Sequence, residues 1–213
     1  MKVLELFSGS GSVSKVCNDL GYDVVSLDIE FEATHKMNIL DFDYKQYKPD
    51  EFDIVWGSPP CTYYSALQRS WIGQKKKDGI YTIDKLTKDL SDSDALVERT
   101  FEIIKYFNPE LWVIENPQTG SLKSRDIMKD VPFYDVDYCM YSDWGYRKRT
   151  RVWTNKLNFN NKKCDGKGTC GNMINTKHKK NVSKDVHNNK GNNRLERYRV
   201  PSKLIYDLFE NKF

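Results

Sequence analysis

The sequence has no long apolar run, and we expect no signal peptide at its start; both features argue against a membrane-spanning or secreted protein. No stretch approaches the roughly 20 consecutive apolar residues of a membrane-spanning helix, so no membrane span is expected. The opening "MKVLELFSGS" is too short and too acidic for a signal peptide, and it is typical of a first β-strand. We therefore expect an intracellular protein.

Cysteines are few, odd in number and irregularly spaced, which argues against a disulfide framework. Reduced thiols or a metal site are the better interpretations. The five are Cys17, Cys61, Cys139, Cys164 and Cys170. The sequence has no internal repeats. With 213 residues, 38% apolar and 30% charged, it predicts one globular domain and a small appendage.

Charge is distributed very unevenly along the chain. Residues 147–203 hold 17 Lys and Arg against three acidic residues, a net charge of +14. Because the whole chain carries +4, the remainder carries −10. A basic region on an acidic body indicates contact with a polyanion such as nucleic acid. A solvated Lys-rich loop is the alternative.

Apolar strands alternate with helical patterns, which predicts an α/β fold of the Rossmann type: a mostly parallel sheet with helices on both faces. Strands are expected at 2–7, 23–29, 53–58, 111–117 and 151–155, and helices at 13–21 and 92–107. In such folds the sites lie beyond the carboxyl ends of the strands. The motifs "FSGSG", "DIE", "SPPC" and "ENP" all lie at those ends.

Three parts are expected along the chain. Residues 1–155 form the catalytic core, and 194–213 form a C-terminal helical segment that returns to it. Residues 156–193, rich in Asn and Lys, form a long loop or a minimal basic subdomain between the two.

The loop "LFSGSGSVS" joins a strand to a helix, where glycines let a ligand approach and the helix N-terminus favours negative charge. It departs from the G-x-G-x-x-G pattern at Ser14, and a simple tight turn is equally compatible. Asp28 ends the second strand about 20 residues later, where an acidic residue can accept hydrogen bonds from ribose hydroxyls. A helix or turn cap is the alternative for Asp28.

Cys61 follows two prolines at a strand end, in "GSPPCTYYS". The prolines restrict the backbone and fix the direction of the sulfur. Only a thiolate is strongly nucleophilic, and nearby cations or a helix N-terminus would increase its fraction. A nucleophile and a buried structural cysteine are both compatible with the pattern.

Glu115 ends the apolar strand "LWVIENP", where a carboxyl group can hold a proton to donate. A cap or an arginine partner is the alternative. Arg149 and Arg151 lie on one strand face at period two, where two guanidinium groups could orient a planar acceptor or a phosphate. A solvent-exposed basic strand edge is the alternative for them.

Taken in order, these motifs resemble those of the DNA cytosine-5 methyltransferases, in a compact form similar to virus- and phage-encoded members. The "GSPPCTYYS" segment matches the nucleophile motif closely, "IENP" resembles the Glu-Asn-Val motif, and "RTRV" matches an Arg-x-Arg motif. Similarity also extends to the segments "LFSGSGSVS", "SLDIE", "MNIL" and "RYRVPSKLIYDLF". The match covers residues 1–155 and about 195–213.

The resemblance implies that Cys61 adds to cytosine C6 of a flipped-out base in DNA, with S-adenosylmethionine as methyl donor. Glu115 would engage the base, and Arg149 and Arg151 would hold the base and its backbone. The implied cofactor-binding residues are Phe7, Ser8, Gly9, Gly11, Asp28, Ile29, Asn38, Ile39 and Pro59. The loop at 63–79 would be a lid over the base or a disordered surface loop.

Departures from the family pattern concern target choice more than chemistry. Thr62 stands at the usual Gln, Arg147 at another Gln, Pro117 at the usual Val and Asn38 at the usual Asp. RNA as substrate, methylation of an exocyclic amine, and an inactive nucleic-acid-binding module remain alternatives. Zinc is a further option for the basic segment, although the ligand spacing is not that of a standard finger. Its candidate ligands are Cys164, Cys170, His178 and His187.

Overall fold

The computed structural model describes residues 1–182 and 194–210. Seven strands within these ranges form one sheet, in the order β3-β2-β1-β4-β7-β9-β8. They are β1 (Lys2–Leu6), β2 (Asp23–Asp28), β3 (His35–Lys36), β4 (Ile54–Gly57), β7 (Leu111–Pro117), β8 (Phe133–Asp137) and β9 (Arg149–Thr154). All pairings are parallel except those of β9, which runs against both β7 and β8. This confirms the predicted mostly parallel sheet.

Helices cover both faces of the sheet, as its near-continuous apolar strands require. One face packs against α1 (Ser12–Asp19) and α4 (Ser202–Phe209), through residues such as Val13 and Leu204. The other face packs against α2 (Ile83–Phe107), through residues such as Val97. A short helix, α3 (Arg194–Tyr198), precedes α4.

Helix α2 begins nine residues before the predicted start at 92. Thr82 caps it, since its hydroxyl accepts a hydrogen bond from the Lys85 amide at 3.1 Å. The acidic and serine-rich first turns have weak hydrophobic periodicity, so the sequence pattern located only the buried second half.

Two short hairpins lie outside the main sheet. Strands β5 (Lys75–Lys76) and β6 (Gly79–Ile80) form one, so the segment 63–79 is folded. Strands β10 (Met173–Ile174) and β11 (Lys177–His178) form the other, within the basic segment. In the part of the chain that the structure describes, no helix combines the length and apolar character needed to cross a bilayer.

Candidate active site

The glycine loop after β1 has the backbone geometry of a ligand-binding turn. Phe7, Gly9 and Gly11 all have positive φ angles, of 59°, 50° and 65°. For Phe7 this conformation is strained, and such strain persists where the surroundings enforce it, often at functional sites. The hydroxyl oxygen of Ser8 is buried and has no hydrogen-bond partner among the described residues. A ligand in this loop could supply that partner.

Asp28 performs the capping role that was the alternative for it. Its Oδ2 accepts a hydrogen bond from the Gly9 amide, and its Oδ1 accepts two from the amides of Glu30 and Phe31, all at 2.8 Å. A carboxylate has about four lone-pair sites, so about one remains for a ribose hydroxyl. Asp28 therefore fixes the loop whether or not it also binds a ligand.

The other predicted cofactor residues are divided between surface and core. Ile29 is 66% exposed at the end of β2, an apolar side chain suited to packing against a flat ring. Asn38 Oδ1 accepts a hydrogen bond from the Leu40 amide at 3.0 Å and shapes its own turn. Ile39 is only 1% exposed and lies in the core, so its side chain is not presented to a ligand.

The C-terminal segment closes over the glycine loop. A Cβ atom added at Gly9 would lie 3.3 Å from the Cβ of Tyr198, and the Val200 amide donates to the Ser12 hydroxyl at 3.1 Å. Phe31 meets the Tyr198 ring edge-on, with the ring centroids 5.8 Å apart. These contacts place Tyr198 and Val200 beside the glycine loop.

Cys61 follows β4, in a turn whose backbone is fixed by two prolines and a hydrogen bond. Pro59 is buried, and its carbonyl accepts a hydrogen bond from the Asn116 amide group at 2.8 Å, which ties this turn to the end of β7. Burial raises the pKa of the Cys61 thiol above its ordinary value, and Glu115 raises it further, while Lys148 and Arg197 lower it. The two cations act in the direction expected of nearby positive charge, but burial has the larger effect, so the pKa of this thiol lies above that of an ordinary cysteine.

Glu115 is 6% exposed and has two partners that sequence reasoning missed. Tyr138 donates to Glu115 Oε1 at 2.7 Å, and the Lys148 ammonium lies 3.7 Å from the same oxygen. Lys148 also donates to the carbonyl of Arg197 at 3.3 Å and lies over the Tyr138 ring. The period of β9 could have revealed Lys148, because it alternates with Arg149 and so faces the side of Glu115.

Arg149 and Arg151 share a strand face, as predicted, but it is the opposite face from that of Glu115. Arg151 pairs in register with Asn116, whereas Glu115 pairs with Val152. Arg151 forms a bidentate ion pair with Asp135, at 2.7 and 2.9 Å, and stacks on Phe133. The alternative prediction for Arg151, a solvent-exposed basic strand edge, holds only in part, because its guanidinium group is largely buried. Arg149 is exposed.

The comparisons with known proteins identify the family. A protein of Frog virus 3 (isolate Goorha), named probable DNA (cytosine-5)-methyltransferase, is 41% identical over 219 residues, which cover 99% of each chain. The chain belongs to the DNA (cytosine-5)-methyltransferase family. This confirms the resemblance drawn from the ordered motifs. No protein-family model matches the chain.

A solved methyltransferase structure from Entamoeba histolytica agrees with the fold expected of this family. The Entamoeba histolytica methyltransferase EhMeth has a TM-score of 0.51 and 19% identity over 96% of this chain. An E. coli prophage-encoded putative DNA modification methyltransferase has a TM-score of 0.46 and 17% identity over 72% of this chain. The chain spans 64% of the first protein and 46% of the second.

Glu5 is a buried acid in this methyltransferase fold that sequence reasoning also missed. It is on β1 and accepts hydrogen bonds from the amides of Val13 and Ser14 at 3.3 and 3.0 Å, and from the Ser14 hydroxyl. Gly11, at the N-cap of α1, has no side chain to do this, so Glu5 caps the helix from the neighbouring strand. Burial raises the pKa of Glu5 from 4.5 to about 7.

We expect Glu5 to make the protein less stable as pH rises from about 4.5 to 7. In that range the folded state holds a proton that the unfolded chain releases, so its contribution is lost as pH rises through the folded pKa. A shift of this size corresponds to about 3 kcal/mol. Urea unfolding at pH 5 and pH 8 measures it. Glu5→Gln should remove most of the difference, whereas exposed Glu32→Gln should not; equal pH dependence in wild type and Glu5→Gln would contradict the assignment.

Proposed function

We propose that the chain transfers a methyl group from S-adenosylmethionine to C5 of cytosine in DNA. The observation that carries this is the convergence of Cys61, Glu115 and Lys148 at the carboxyl ends of β4 and β7, in a chain of this family. Open sheets of this type bind their ligands at that edge. An intracellular location, where DNA and the methyl donor are both available, is part of the proposal.

The residues of the glycine loop fit S-adenosylmethionine. The buried Ser8 hydroxyl, the remaining acceptor site of Asp28 and the exposed Ile29 would hold the loop-facing parts of the cofactor. When bound, S-adenosylmethionine supplies an electrophilic methyl group. Closure by Tyr198 would exclude water from this end of the site.

Cys61 performs the covalent step of the proposed reaction. Its thiolate adds to C6 of the flipped base, and the sulfur–carbon bond formed makes C5 electron-rich enough to take the methyl group. The C5 proton then leaves to a base, and the electron pair of the C5–H bond re-forms the C5=C6 bond as the thiolate departs. The Pro59–Asn116 hydrogen bond holds the sulfur in line for this attack.

Glu115 engages the base edge while Cys61 attacks. Tyr138 and Lys148 hold its Oε1, which leaves Oε2 for the N3 and amino edge of cytosine. Lys148 also lowers the pKa of Cys61 against the effect of burial. We infer that Lys148 couples the two groups, because it balances the negative charge of either one.

The folded segment 63–79 is suited to the role of a lid. Leu67 is 70% exposed and Ile72 is 39% exposed, and the Lys76 ammonium lies 4.3 Å from the centre of the Trp71 ring. Apolar and cationic groups of this kind stack on bases and contact phosphates.

A methylation assay tests the proposed function. Purified protein is incubated with labelled S-adenosylmethionine and either duplex DNA or structured RNA, and the product nucleoside is identified by mass spectrometry. The proposal expects 5-methylcytosine in DNA. Label found only in RNA, or on an exocyclic amine, would overturn it, and so would binding of DNA without any methyl transfer.

Asp28→Ala should weaken S-adenosylmethionine binding by roughly 10-fold or more, because a hydrogen bond to a charged group contributes about 1.5–3 kcal/mol. Loss of the three amide hydrogen bonds would add to this by loosening the loop. Isothermal titration calorimetry measures the affinity. Asp23→Asn, at the exposed start of the same strand, is the matched control. Unchanged affinity in Asp28→Ala would limit Asp28 to turn capping.

The β10–β11 hairpin and the two lysines directly after it should supply salt-dependent affinity for DNA. Lys177, Lys179 and Lys180 are all exposed, and each phosphate contact contributes about 0.9 to the slope of log K against log salt. Replacing all three with Ala should flatten that slope by up to about 3 on every DNA sequence. Fluorescence anisotropy across a salt series measures it. If the slope is unchanged in this variant but falls in the triple variant of Lys75, Lys76 and Lys77, the phosphate contacts lie on the lid.

A further inference from the structure

Four side chains from distant parts of the chain meet beside β8. The sulfur atoms of Cys139, Cys164 and Cys170 and a ring nitrogen of His178 all lie within 4.8 Å of one another. Cys139 and Cys164 are buried, and all three cysteines are free thiols. The sequence suggested Cys164, Cys170 and His178, but Cys139 takes the place given to His187, which lies outside the described residues.

We propose that these four residues form a structural zinc site. Three thiolates and one imidazole are a standard ligand set for tetrahedral structural zinc. With Zn–S near 2.3 Å and Zn–N near 2.0 Å, the S–N edges of such a tetrahedron are about 3.5 Å. The measured S–N distances are 3.7 Å for Cys164–His178 and 3.5 Å for Cys170–His178.

The segment that supplies three of the ligands has little core of its own. Among the described residues 156–182, the buried apolar side chains are those of Phe159 and Cys164. Metal binding can supply the folding free energy that such a segment lacks. The ion would connect the β10–β11 hairpin, through His178, to Cys139 at the end of β8.

The hydrogen bonds around the cluster favour a fixed ligand geometry. The Cys164 amide donates to Asp137 at 2.7 Å, and Asp137 is itself held by Arg147. Asn172 is buried and donates to the carbonyls of Cys139 and Cys170 at 2.8 and 3.0 Å. These bonds hold the backbones of three ligands in place, as the outer shell of a metal site does.

Metal content and ligand substitution test the site. The purified protein should contain one zinc ion per chain, measured by plasma mass spectrometry, and iron in its place would overturn the choice of metal. Cys139→Ser should weaken zinc binding by more than about 100-fold in chelator competition, since even outer-shell changes cost 10–100-fold. His187→Asn is the matched control and should retain zinc; the reverse pattern would overturn the ligand assignment.

Three measurements on the wild-type chain keep the test valid if Cys139→Ser fails to fold. Cobalt substitution should give the intense visible bands of a tetrahedral site with thiolate ligands, and octahedral bands would contradict it. Removal of the metal by a chelator should let trypsin cleave the segment 156–182 before it cleaves the core, because the segment would lose the metal that holds it in place. Alkylation under denaturing conditions should label all five cysteines, and two unlabelled ones would indicate a disulfide in place of the metal. None of these readouts depends on methyl transfer, so the site can fail while the proposed function stands.

Discussion

Replacing Cys61 with serine should lower the rate of cytosine methylation by roughly 10³-fold or more, since it removes the covalent path. Affinity for S-adenosylmethionine should stay near that of wild type, because the glycine loop follows β1 and Asp28 ends β2, whereas Cys61 follows β4. Single-turnover kinetics with labelled cofactor measure the first quantity and calorimetry the second. Cys17→Ala, a buried thiol on α1, is the control for general effects of losing a cysteine.

DNA containing 5-fluorocytosine gives an independent measurement of the same step. Wild type should form a covalent complex that survives denaturation, because the fluorine cannot leave as a proton does, and Cys61→Ser should form none. The raised pKa of Cys61 adds a pH signature: the thiolate fraction, and with it the rate of complex formation, should increase as pH rises towards and above the ordinary thiol value of 9.0. Substantial methylation by Cys61→Ser would exclude the covalent mechanism.

Replacing Glu115 with glutamine should lower the methylation rate by about 10²–10³-fold, the range seen when one group that stabilises a transition state is removed. Glutamine keeps the shape but loses the charge that Lys148 balances. The same single-turnover assay measures it, and thermal unfolding shows whether the fold is retained.

Tyr138→Phe separates a positioning effect from a direct one. It removes only the hydroxyl that donates to Glu115 Oε1, so the rate should fall by a smaller factor, while Cys61 and the cofactor loop are untouched. If Glu115→Gln retained full activity, or if its loss were matched by a large fall in melting temperature, Glu115 would be a structural partner of Lys148 and not a group that contacts the base.

The sequence predicted the central part of the fold well, because buried parallel strands are marked by apolar runs. The five strands expected at 2–7, 23–29, 53–58, 111–117 and 151–155 all occur, with their ends within two residues. Strand β8 was missed because its acids face Arg149 and Arg151, so its composition is that of a charged segment. The short hairpins were missed because two-residue strands have no measurable periodicity.

The sequence named individual candidate residues for the site but not the contacts among them. Ordered motifs pointed to Cys61 and Glu115, and the period of β9 could have placed Lys148 on the side of Glu115. Nothing local to Tyr138 or Glu5 indicates that they contact Glu115 or cap α1. Cys139 could not be assigned to the cysteine cluster from the sequence either, because it lies 25 residues before Cys164. Strand β9 runs antiparallel to β8, and this brings the segment after β9 back beside Cys139. Pairings of this range depend on tertiary structure, which spacing along the chain does not encode.

The contact between Ser12 and Val200 joins residues 188 positions apart, so the two sides of this contact are synthesised at different times. The glycine loop leaves the ribosome well before the segment that covers it. A growing chain can therefore pair its early strands before residues 198–200, which cover the loop, have been made. Contacts of such long range also slow folding, since the loop-closure entropy must be overcome before they form. A chain interrupted before residue 198 would contain Cys61, Glu115 and Lys148 and still lack the Tyr198 side chain that covers the glycine loop.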